Sequence, residues 1–171
     1  DTLPLYAFFG GIIMELLRQQ LIAYRPWNEQ EERDREELLR RLDSPEDLYT
    51  RANTAAHFTA SAWVVSPDRK QVLMAYHRLY DSWAWLGGHA DGDRDLLAVA
   101  LREVREESGL TEVRPVSEDL YSLEILTVDG HEKHGQYVSS HLHLNVTYLL
   151  EADPSAAIRP KPDDCLLYTS D

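Results

Sequence analysis

Cysteine is all but missing from this chain: Cys165 stands alone. That excludes an intramolecular disulfide and any zinc site built from several thiolates, and it fits a reducing, cytoplasmic setting. Positive charge is scarce as well. Seventeen Lys and Arg face thirty Asp and Glu, a formal net charge of −13, which argues against a nucleic-acid backbone as main partner because that role takes a basic surface. Long apolar runs are also lacking. The most hydrophobic stretch, Leu3 to Leu17, falls short of the roughly 18 to 20 residues that cross a bilayer. It opens on Asp1 with no basic segment before it and no small-residue cleavage site, so neither a membrane anchor nor a signal peptide is expected. No repeat or low-complexity tract breaks the 171 residues, which suffice for one domain with its own core.

What is present gathers between residues 87 and 110, GGHADGDRDLLAVALREVREESGL. Asp95 as N-cap and Gly109 as a left-handed C′ residue bracket a helix over 96–108. At about 100° per residue, Glu103, Glu106 and Glu107 share one face. Leu97, Ala100, Leu101 and Val104 form an apolar stripe expected to dock the helix, and Arg102, four residues before Glu106, is placed to hold that carboxylate. Like charges so close repel unless a cation neutralises them. Hard cations such as Mg²⁺ take oxygen ligands, commonly one or two carboxylates together with substrate phosphates. Gly87, Gly88 and Gly92 allow the preceding turn to come close to a ligand.

These residues resemble the Nudix box, G-x5-E-x7-R-E-U-x-E-E-x-G-U with U aliphatic. Gly88 takes the first glycine, Arg102 and Glu103 the R-E pair, Val104 the aliphatic position, Glu106 and Glu107 the E-E pair, and Gly109 and Leu110 the end. Eight of nine fixed positions match; the departure is Arg94, where the box has glutamate. Asp91 and Asp93 stand beside it as substitutes. The resemblance implies an α/β fold, the Nudix α/β/α sandwich with a mixed β-sheet. It implies Mg²⁺, with Mn²⁺ as substitute, held by Glu103, Glu106, Glu107 and the carbonyl of Gly88. It further implies a pyrophosphatase that cleaves a nucleoside diphosphate linked to another group by attack of a metal-activated water on phosphorus.

The box accounts for only part of the chain. Residues 14–52 read as an N-terminal helical extension, Met14 as a start, and Asn28 with Glu31 as a capping box before a charged helix anchored by Leu38, Leu39 and Leu42. The extension suits packing or a homodimer. Residues 53–164 read as the Nudix domain, shortened at its C-terminus, and 1–13 and 165–171 as non-native flanks. Segments 56–66, 71–77, 121–129 and 138–151 have strand composition, the first two joined by the turn SPDRK. In the last, Leu142, Leu144, Val146, Tyr148 and Leu150 should face one way and His141, His143, Asn145 and Thr147 the other.

His89, directly after the turn glycine, and His141 and His143 are candidates for binding the substrate, with histidine titrating near neutrality. His131 and His134 fall in a polar loop, DGHEKHGQ, that reads as a lid. Tyr80, Trp83 and Trp85 either line the core or stack on a base. General-base candidates are Glu103, Glu124, Glu132, His141 and His143. The expected partner is a small phosphorylated, nucleotide-derived compound. Arg94 leaves a second reading, a catalytically weak nucleotide-binding sensor. An isopentenyl-diphosphate isomerase of the same fold would need a catalytic cysteine in an early strand, where this chain has none.

Overall fold

The structure, a computed structural model, describes residues 16–77, 81–133, 135–159 and 164–169. Met14, the 1–13 flank, Tyr80 and His134 lie outside the described residues. The fold is of the expected α/β class, a mixed β-sheet with helices. Helix α1 covers 16–23, α2 Glu29–Leu42 and α3 Leu96–Ser108. The strands are β1 Ala56–Val65, β2 Val72–His77, β3 Ser82–Ala84, β4 Leu86–His89 and β5 Val113–Pro115. They continue with β6 Ser122–Val128, β7 His131–Lys133, β8 Gln136–Val138, β9 His141–Ala152 and β10 Asp164–Thr169. The main sheet runs β10-β2-β1-β9-β5, with β3 on β2, β4 on β1 and β6 on β9. Among the described residues no helix is long and apolar enough to cross a membrane. The contacts divide into two compact units.

The first unit comprises the chain up to Thr59, His89–Asp95 and Ser122–Val146. Its α2 starts as the sequence indicates: Glu31 N–H donates to Asn28 Oδ1 at 2.9 Å. Glu31 in turn accepts from the amide of Trp27 (2.7 Å) and the hydroxyl of Tyr24 (2.9 Å). Those bonds satisfy amides that a helix start leaves orphaned. Leu38 and Leu42 are buried alongside Leu17 and Leu21, and Asp34 accepts the Ile125 amide of β6 at 3.0 Å. The segment 89–95 is fixed by Ala90 N–H to Phe58 O (3.1 Å), Gly92 N–H to Tyr49 O (2.7 Å) and a two-pronged Arg51–Asp91 pair (2.6 and 2.8 Å). The polar loop expected over 129–136 falls largely within the β7–β8 hairpin, His131↔Val138 to Lys133↔Gln136, with Gly135 at φ +75. Its strands carry little apolar pattern because most of their side chains face solvent.

The second unit comprises Ala60–Gly88, Leu96–Tyr121 and the chain from Thr147 onward. Val64↔Leu73 and Val65↔Val72 pair antiparallel across the expected turn, where Arg69 takes φ 62. Strand β10 pairs with β2 from Asp164↔His77 to Thr169↔Val72. The described residues of the flank read after 164 thus fall in this strand, whose pairing depends on β2, a partner that local composition does not reveal. Helix α3 has the expected ends, with Gly109 at φ +71. Its docked stripe differs. Leu96, Val99, Ala100 and Val104 are buried while Leu97 and Leu101 are half-exposed, each buried Leu or Val stabilising by about 1.5–3 kcal/mol before entropy. Ser108 Oγ donates to Val104 O (2.5 Å), and Ser108 O accepts the amide of Arg159 at 2.6 Å. In β9 both faces are buried from Leu144 to Tyr148, Asn145 and Thr147 included, so its polar face is not a solvent face.

Candidate active site

The rotated stripe of α3 decides where its acids go. With Val99, Ala100 and Val104 docked, Glu103 and Glu107 flank the buried face and are half-buried, while Glu106 is exposed. Glu107 Oε2 accepts the Gly87 amide at 3.2 Å. Gly88 lies so close to Glu103 that a Cβ there would come within 2.5 Å of Oε2 and 2.9 Å of Oε1. Two acids therefore converge on Gly87 and Gly88, which lie in β4 where the sequence had suggested a turn, and glycine at 88 is what leaves space for the first. Gly87 is pinned from another side, since a Cβ on it would meet Ala60 O at 2.7 Å and Ser61 Oγ at 2.6 Å.

Arg102 donates to Glu103 Oε1 at 3.2 Å, with the Glu103 side chain 15% exposed. Glu106, to which the spacing had pointed, follows one turn on. The groups gathered beside this stretch of β4, which has no side chain of its own, are carboxylates, the kind of oxygen ligand a hard cation takes.

Arg94, the departure from the box, belongs to the first unit. It pairs with Asp47 at 3.4 Å and lies over the ring of Tyr49, 4.8 Å from its centroid. Burial pushes the Tyr49 hydroxyl up to about 12. Arg94 thus has its own partners.

His89, His141 and His143, singled out as candidates, come together in the first unit, and His57 joins them. The ring of His57 lies 5.3 Å from His89, 5.0 Å from His141 and 5.2 Å from His143, centroid to centroid. His57 is only 4% exposed. Burial, above all, pushes His89 down to about 4 and His143 to about 3, with neighbouring positive groups adding to it, and it lowers His57 as well. Sequence reasoning missed His57; the available signal was a histidine beginning a strand otherwise made of small, apolar and hydroxyl side chains. Glu124, half-buried, accepts from Asn145 Nδ2 at 3.2 Å and is raised by burial. Glu132 is exposed in β7, and His131 Nδ1 faces Asp129 O at 2.9 Å. Trp83 is exposed and tilted against Tyr76 at 5.2 Å, and Trp85 is half-buried.

Comparison with known proteins yields one family model, the NUDIX domain, matching residues 55–165. No curated protein matches the sequence. Among solved structures the chain is similar to the Nudix hydrolase RenU from M. smegmatis, with 15% identity, 67% of this chain and 70% of that one covered, and a TM-score of 0.47. It is also similar to the E. coli dihydroneopterin triphosphate pyrophosphohydrolase (17%, 66% and 78%, 0.48) and to a C. elegans Ap4A hydrolase (17%, 66% and 79%, 0.44). The family model spans well over half of the chain, from the start of β1 to the start of β10, with Gly87, Gly88 and the acid-bearing helix inside it; the chain belongs to the NUDIX domain family.

Proposed function

We propose that this chain hydrolyses the phosphoanhydride bond of a small nucleotide-derived diphosphate in a Mg²⁺-dependent reaction, with Mn²⁺ as substitute. The observation that carries the reading is the convergence of Glu103 and Glu107 on Gly87 and Gly88 of β4. Glu103, Glu107 and the exposed Glu106 would hold the metal, with the Gly88 carbonyl as a further oxygen donor. When bound, such an ion supplies Lewis acidity to the phosphoanhydride oxygens and acidifies the attacking water. The chain's own residues do the positioning. The Gly87 amide fixes Glu107, Arg102 steadies Glu103, and the absence of a Cβ at 88 keeps the Glu103 carboxylate turned inward.

The test is a screen of phosphate and nucleoside monophosphate release with and without Mg²⁺, over nucleoside triphosphates, nucleotide sugars, dinucleoside polyphosphates and ADP-ribose. Metal-dependent release from one class, abolished in Glu103→Gln, supports the proposal. Release that ignores both Mg²⁺ and that substitution overturns it. Nucleotide binding by calorimetry without turnover assigns the chain to sensing instead.

A further inference from the structure

We propose that His57, His89 and His143 form a second metal site, for a divalent transition cation of the zinc class. Each offers a ring nitrogen, and the three atoms lie within 4.8 Å of one another. His57 gives the sharpest indication. Its Nδ1 sits 3.0 Å from Asn53 O; a carbonyl only accepts, so Nδ1 carries the proton and Nε2 keeps its lone pair. That Nε2 is buried and has no hydrogen-bond partner. A buried imidazole whose far nitrogen is held by a backbone carbonyl is the arrangement that fixes tautomer and orientation in metal-ligating histidines, and an orphaned buried acceptor calls for an explanation.

His141 extends the pattern. Its Nδ1 meets Ser139 O at 2.8 Å, which turns its Nε2 towards Nε2 of His143, 3.3 Å away. Tetrahedral bonds of about 2.0–2.1 Å set ligand nitrogens about 3.3 Å apart. The trio needs to draw in by no more than about 1.5 Å from its 4.8 Å limit, a modest rotation of three rings.

Imidazole nitrogen selects zinc, cobalt, nickel or copper over Mg²⁺, which prefers oxygen. Charges that face the cluster are Arg51, Lys133 and Asp91, and Arg51 is held off by its two-pronged pair with Asp91. Three nitrogens leave a coordination position open, unlike the closed four-ligand sets of structural zinc. This site would be filled from one unit alone, since all four histidines belong to it.

The test is zinc calorimetry and thermal melting of the whole chain under saturating Mg²⁺, with the visible spectrum of added Co²⁺ as a ligand-field readout. One equivalent of zinc, a raised melting point and tetrahedral Co²⁺ bands are expected. His89→Asn and His143→Asn, at half-buried positions that should still fold, should each weaken zinc by more than about 100-fold, beyond the 10–100-fold typical of an outer-shell partner. His57→Phe should do the same where circular dichroism shows it folded. The double variant Glu103→Gln/Glu107→Gln should keep its zinc. Absence of stoichiometric zinc in the unaltered chain overturns the site, as does zinc lost in the glutamate variant but retained in the histidine ones. Binding of inorganic phosphate without metal that disappears in His143→Asn would make the cluster an anion site and equally overturn the proposal.

Discussion

Gly88→Ala separates catalysis from folding. The added methyl would come within 2.5 Å of Glu103 Oε2 and 2.9 Å of Oε1, so something must move. What moves is the far end of a flexible side chain, which limits the stability loss to the lower part of the roughly 1–3 kcal/mol range for overpacking. For a chain of this size that is a fall of a few degrees, at about 2–4 °C per kcal/mol. The carboxylate, however, is displaced by about 1 Å, and misplacement on that scale costs about 100-fold in rate, equivalent to about 2.7 kcal/mol of transition-state stabilisation. Gly87→Ala is the counterpart: its methyl meets Ala60 O at 2.7 Å and Ser61 Cα at 2.8 Å, backbone that cannot yield, so folding itself should fail or the melting point drop far more. The assay is phosphate release at saturating Mg²⁺ beside a thermal melt for each variant. Gly88→Ala with unaltered turnover would refute the idea that glycine stands at 88 to admit Glu103.

Glu107→Gln retains an oxygen for the Gly87 amide but loses the charge, so turnover should fall by well over about tenfold with little change in melting point, as for removal of a metal ligand and not a packing group. Restoring the box residue by Arg94→Glu should destabilise the fold: it faces Asp47 and abandons Tyr49, a loss of about 1 kcal/mol or somewhat more, read as a fall of a few degrees on melting. Glu151 is held below the ordinary carboxylate range first by its hydrogen bond from Arg69 and then by Arg114. Its stabilisation is therefore present above the ordinary value of 4.5 and lost as pH falls through the depressed folded value. Melting curves of Glu151→Gln should lie below those of the unaltered chain at pH 7 and converge with them in acid. Asn28→Ala removes the acceptor for the Glu31 amide and should cost about 1 kcal/mol, again visible on melting.

The acid-bearing helix was legible because its caps and charges are local, and its ends stand where Asp95 and Gly109 indicate. Its orientation was not. Residues 96–101 read LLAVAL, apolar at every position, so periodicity cannot centre the stripe and the neighbouring sheet decides it. That shift separates Glu103 and Glu107 from Glu106. Strand β4 hides in Leu86–His89, where two glycines read as a turn, and β10 hides behind a proline- and aspartate-rich approach. The histidines show a different limit. His141 and His143 announce themselves by alternation, but nothing local brings His57 and His89 to them; that takes long-range hydrogen bonds, from Ala90 to Phe58 and from Leu142 to Ala55.

The amide of Arg159 closing on Ser108 O makes the segment after β9 part of the acid-bearing helix's own terminus. Shortened forms ending before residue 159 would leave the last turn of that helix with an unanswered carbonyl beside Glu106 and Glu107, so purification tags and truncation boundaries chosen there would change kinetics, not just yield.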